Sequence, residues 1–134
     1  MHDFVFLKLG KKFSKLPYSE ILYAEAVKKY VRIVTPKKVH LILASMCLVE
    51  KVLPSNQFCR IHRSYIISLY HMTDFDSDVA YIGNKIFPIG KQHKGILQER
   101  VVILSSDSRI ESIENEQNLA GIIRSIDLQE TVDL

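Results

Sequence analysis

Phe58-Cys59-Arg60-Ile61-His62-Arg63-Ser64-Tyr65-Ile66-Ile67-Ser68-Leu69 is the stretch on which the reading of this chain turns. It reads as one extended segment, its apolar end running from Tyr65 to Ile67 and its polar end holding Arg60, His62, Arg63 and Ser64. All four polar side chains donate hydrogen bonds, and no carboxylate interrupts them. On a basic chain this suits a phosphate backbone, because Arg and Ser are common phosphate partners and Arg also reads a guanine edge.

Around that stretch the chain is long enough for one domain, or one domain with an appendage, and 47% hydrophobic residues in 134 build a real core. No apolar run approaches the roughly 20 residues of a membrane span. The N-terminus lacks the charged-then-apolar order of a signal peptide, so the expected compartment is the cytoplasm, with no membrane partner. Cys47 and Cys59 are too few for a disulfide framework and read as reduced, packed thiols. The net charge of +3 is unevenly spread: residues 1–100 hold 16 Lys+Arg against 8 Asp+Glu, whereas residues 101–134 hold 2 against 7. A basic body and an acidic tail follow, and only the body suits nucleic acid.

Upstream, Phe4 to Leu9 and Lys12 to Leu16 flank Gly10-Lys11 and predict a hairpin. Tyr18-Ser19-Glu20, after Pro17, predicts a turn or a single helical turn. Ile21 to Val27 and Tyr30 to Thr35 predict two strands joined by Lys28-Lys29, and Val39 to Leu43 another after the turn Thr35-Pro36-Lys37-Lys38. Ser45 is a candidate N-cap for a short helix whose apolar stripe is Met46, Leu48, Val49, Val52 and Leu53, stopped by Pro54. Downstream, Met72 to Phe87 reads as strand, turn and strand around Gly83-Asn84. Lys91 to Leu104 has the spacing of a helix closing the domain, and Ser105-Ser106-Asp107-Ser108 that of a linker. Leu119, Ile122, Ile123 and Ile126 then predict an amphipathic helix in the tail. The domain boundary expected is therefore 1–104 against 105–134, and many short strands with few helices predict a mainly β fold.

Chemistry other than binding finds little purchase. Asp74, Asp76 and Asp78 alternate as calcium ligands do, but an EF-hand loop counted from Asp74 would put Val79 and Lys85 where Gly and Glu are required. Cys59 and His62 would fall on opposite faces of a strand, which separates a thiol from its base. Cys47, Cys59, His40 and His62 lack the close pairing of a zinc site. No glycine-rich phosphate loop is present, so neither catalysis nor a cofactor nor a metal is expected.

Three segments in register carry a resemblance. Phe58-x-Arg60-x-His62-Arg63-Ser64-Tyr65-Ile66-Ile67, Ile21-Leu22-Tyr23-Ala24-Glu25-Ala26 with Tyr30, and Phe87-Pro88-Ile89-Gly90-Lys91 together resemble the LytTR-type DNA-binding domain of bacterial transcriptional regulators. The resemblance implies an elongated, mostly antiparallel β fold with one short helix mid-chain, which meets DNA through loops instead of a recognition helix. Position by position it places Lys28, Lys29 and Tyr30 in a first DNA loop, His62, Arg63 and Ser64 in a second, and Lys91 with Lys94 in a third. Arg63 and Lys91 are then candidates for guanine edges, and His62, Ser64 and Lys94 for phosphates. Arg60 has two readings, a DNA contact or an ion pair with Glu25 inside the fold. Ser68 and Lys29 depart from the residues common in the family.

The function expected is sequence-specific binding of double-stranded DNA at promoter repeats, as a homodimer on DNA, as the output domain of a two-component response regulator whose receiver or sensor domain is not in this chain. The alternative is a β-rich interaction module whose basic loops engage an acidic protein. RNA is a weaker third reading, because no aromatic platform for single strands is visible in the sequence.

Overall fold

A computed structural model describes residues 3–106. The chain falls into two units, Met1–Val101 and Val102–Leu134, and the amphipathic stripe from Leu119 to Ile126 lies outside the described residues.

The first unit is built on a five-stranded antiparallel sheet in the order β5-β4-β3-β7-β6, with β3 at Tyr23–Val27, β4 at Tyr30–Val34, β5 at Val39–Leu43, β6 at Phe58–His62 and β7 at Tyr65–Ser68. Successive side chains of a strand point to opposite faces, and here both faces carry apolar residues. Ala24, Val31, Ile33 and Ile66 enter one core, while Tyr23, Cys59, Ile61 and Ile67 enter another. The first core is covered by helix α1, Met46–Val52, and by the hairpin of β1, Phe4–Leu9, with β2, Lys12–Pro17. The second is covered by a three-stranded sheet of β8, Asp74–Phe75, β9, Val79–Ile82, and β10, Lys85–Pro88, together with Leu97 of helix α2, Ile96–Arg100. The mainly β expectation holds, with ten strands and few helices among the described residues.

Four hairpins turn through two residues each, at Gly10-Lys11, Lys28-Lys29, Arg63-Ser64 and Gly83-Asn84. Two-residue loops that match strand twist need a positive φ, which Gly10 (66°), Lys28 (57°) and Gly83 (58°) supply. The Arg63-Ser64 turn has none and instead follows a register shift in β6 between Arg60 and His62. The stretch from Phe58 to Leu69 is therefore a hairpin, not the single extended segment its sequence suggests.

Ser45 caps α1 as expected, its Oγ accepting the Leu48 N–H at 3.1 Å, and the helix stops before Pro54. Only Met46, Val49 and Leu53 of the predicted stripe are buried; Leu48 and Val52 face out. The helix predicted over Lys91 to Leu104 is shorter and interrupted. A 3-10 turn, Lys91–His93, is separated from α2 by Gly95 at φ 85°, a left-handed conformation that no α-helix continues through. Arg100, at the end of α2, donates to the Ser55 and Phe58 carbonyls and so ties this segment to the start of β6.

Candidate nucleic-acid interface

The registers bring two of the basic turns together. Glu25 of β3 lies opposite Tyr65 of β7, and Ala26 donates its N–H to the Ser64 carbonyl at 2.9 Å. The Lys28-Lys29 turn and the Arg63-Ser64 turn therefore emerge side by side at one end of the sheet. The third segment joins them, since the Gly90 N–H donates to the Ile61 carbonyl at 2.8 Å immediately before Lys91. Lys37 and Lys38 sit at the other end, where Val34 pairs with Val39. Lys28, Lys29, Tyr30, Arg63 and Lys91 are exposed, and the cationic groups of Lys28, Lys29, Arg63 and Lys91 have no side-chain partner among the described residues.

Arg60 is used differently. Its Nη1 donates to Glu50 Oε1 of α1 at 3.2 Å, its Nη2 to the Arg63 carbonyl at 2.9 Å and its Nε to the His62 carbonyl at 3.4 Å. The alternative pairing with Glu25 is not made; Glu25 bonds Arg32 and the Tyr65 hydroxyl. Arg60 lies on the α1 side of the sheet, which places it beside Glu50. Its guanidinium braces the turn that presents Arg63.

His62 braces the same turn from the opposite side. Its Nδ1 accepts the Ser64 N–H at 3.0 Å, which fixes the neutral ring with its proton on Nε2. The bulge in β6 overturns the simple alternation that would set His62 across the strand from Cys59. The ring packs against Tyr65, at 5.5 Å between centroids, and beside Gly90, where an added Cβ would stand 3.5 Å from His62 Cδ2 and 3.4 Å from His93 Nδ1. Burial, then the charges of Arg63 and His93, push the His62 pKa below its usual value. Burial pushes the Cys59 thiol up, which keeps it protonated and unreactive.

Lys94, expected on phosphate, bonds the Ser77 carbonyl at 2.8 Å and Asp78 at 2.9 Å. Asp76, the middle of the three alternating aspartates, caps its own turn by accepting the N–H groups of Asp78 and Val79, which hold its carboxyl below the usual range. Sequence reasoning missed the roles of Glu50, which holds Arg60, and of Gly90, which packs against His62. Gly90 belongs to one of the three resembling segments without a role of its own there, and Glu50 carries no sequence signal, because its partner lies on another element.

The described residues thus form a β scaffold whose exposed cations gather at neighbouring loop tips. A family model described as the LytTr DNA-binding domain matches residues 11–101, and the chain belongs to that family of DNA-binding domains. The LytTr DNA-binding domain of a putative methyl-accepting/DNA response regulator from Bacillus cereus shares the fold, with a TM-score of 0.63 at 22% identity over 77% of this chain and 100% of that one. No curated protein matches the sequence.

Proposed function

We propose that the chain binds double-stranded DNA sequence-specifically, as the output domain of a bacterial response regulator. Residues 1–104 carry this activity and residues 105–134 form an acidic appendage. Arg63 and Lys91 read guanine edges, Lys28 and Lys29 neutralise phosphates, and Tyr30 and Ser64 flank them. Arg60, His62 and Lys94 hold the loops in place. Two copies occupy repeated half-sites, and a receiver or sensor domain supplies the signal.

One observation supports this reading above the others. Three segments distant in sequence, at Lys28, Arg63 and Lys91, meet at one end of the sheet through backbone hydrogen bonds. A single duplex can therefore meet all three. Selection of bound duplexes from a random pool tests it: a recurrent motif with guanines is expected, and affinity that collapses as salt rises. Enrichment of no sequence over the starting pool would overturn it.

A further inference from the structure

A second cationic surface lies away from these tips. The β1–β2 hairpin contains Lys8, Lys11, Lys12 and Lys15 and no Asp or Glu, and all four lysines are exposed. Val5, Leu7 and Leu16 turn inward to the first core. On the outward face Phe6 stands opposite Lys15 and Lys8 opposite Phe13, so rings and ammonium groups alternate in both directions. Phe6 is 53% exposed and Phe13 67%. Phenyl groups so open to water beside a one-sign charge field mark an interaction surface.

Next to this hairpin an apolar groove of about 220 Å³ runs between β1 and α1. Phe6, Leu48 and Val52 form its rim, and Ile21, Ile33 and Ile42 its floor. It is smaller than the roughly 300 to 1,000 Å³ of a cofactor or drug-sized site, but open along one side, as a row of aliphatic side chains requires. The out-facing Leu48 and Val52, which the fold of α1 leaves unburied, belong to this rim.

We infer that the groove, with the hairpin lysines on its flank, docks an acidic amphipathic helix of a partner protein. Apolar residues at i, i+3, i+4 and i+7 of such a helix enter the groove, and its carboxylates meet Lys8 and Lys15. The same hairpin of a second copy does not fit, because it would set one lysine-only surface against another. A single nucleic acid strand stacks on open rings such as Phe6 and Phe13 but leaves the aliphatic groove beside them unfilled. A flat bilayer does not enter a groove.

The test uses the full chain and a fluorescent 18-residue peptide with Leu at i, i+3, i+4 and i+7 and Glu at the outward positions, read by anisotropy. Saturable binding is expected, weakened tenfold or more by Leu48→Glu and by the double change Lys8→Glu with Lys15→Glu. Lys37→Glu with Lys38→Glu, an equal change of charge at the other end of the sheet, is expected to leave it within twofold. All three variants alter exposed side chains, and unchanged circular dichroism establishes that they fold. Equal binding of a scrambled peptide of the same composition would overturn the inference in favour of simple polyanion attraction. Tighter binding to vesicles of anionic phospholipid, or to single-stranded DNA, through the same lysines would overturn it in favour of those ligands.

Discussion

The two turns that stand side by side at the cationic end are built in opposite ways. At Lys28-Lys29 the chain reverses by placing a lysine at φ 57°, a conformation that crowds its Cβ, and nothing among the described residues ties the two ammonium groups down. At Arg63-Ser64 there is no positive φ; the bulge in β6 makes the reversal, with Arg60 gripping from the α1 side and His62 from the Gly90 side. The difference fits the two roles proposed for these turns. A guanidinium that must meet two acceptors on one base needs a fixed base of its own, whereas a lysine on phosphate acts as a point charge and tolerates motion.

The largest expected effect removes the floor beneath the braced turn. Phe87 is fully buried against Tyr23 and Tyr65, and Phe87→Ala is expected to cost about 3 to 5 kcal/mol in denaturant unfolding. A loss under about 1 kcal/mol would mean that the turn is supported from elsewhere. Next, Arg63→Ala is expected to weaken binding to the selected duplex by about 1 to 3 kcal/mol, leaving random duplex and thermal stability nearly unchanged. Equal loss on both duplexes would erase the distinction between the turns.

Arg60→Gln sharpens the contrast, because its guanidinium bonds the His62 and Arg63 carbonyls of the turn. About 1 kcal/mol should be lost from unfolding, through the two carbonyls left without their donor. Specific binding should fall while random binding stays level. For Lys28→Gly the signs divide. Relief of the left-handed conformation should raise stability by up to about 1 kcal/mol, while one lost phosphate contact lowers the salt slope by about 1. A change in preferred sequence would show Lys28 to be a reader.

The smallest effect is that of acid. Since the folded pKa of His62 lies below its unfolded value, the neutral ring contributes stability above about 6.5 that is lost as pH falls through the folded value. His62→Asn, which keeps an acceptor for the Ser64 N–H, should flatten thermal stability between pH 7 and 5. His40, also lowered by burial and by Lys38, accounts for the slope that remains.

Much of this fold is legible in residue order, because hairpins announce themselves locally. Gly10-Lys11, Lys28-Lys29 and Gly83-Asn84 each lie between alternating runs, and Ser45 and Pro54 bracket α1. The Arg63-Ser64 turn was hidden, because the β6 bulge that makes it carries no residue signature of its own. The apolar spacing from Ile96 to Leu104 suggested a helix continuous from Lys91, but left-handed Gly95 interrupts it on one side of α2 and extended Val101 ends it on the other. Of the site, the exposed cations were readable. Which of them serve the fold was not, since Arg60 and Lys94 meet Glu50 and Asp78 only after the chain has folded.

The double grip on Arg63 bears on engineering. A recognition loop is often treated as a cassette, to be moved between scaffolds by copying its few residues. Here the twelve residues from Phe58 to Leu69 would arrive without Glu50 on one flank and Gly90 on the other, and the arginine would then wag freely at the apex. A successful graft has to import a helix from one side and a glycine from the other, so the smallest transferable unit is most of the domain.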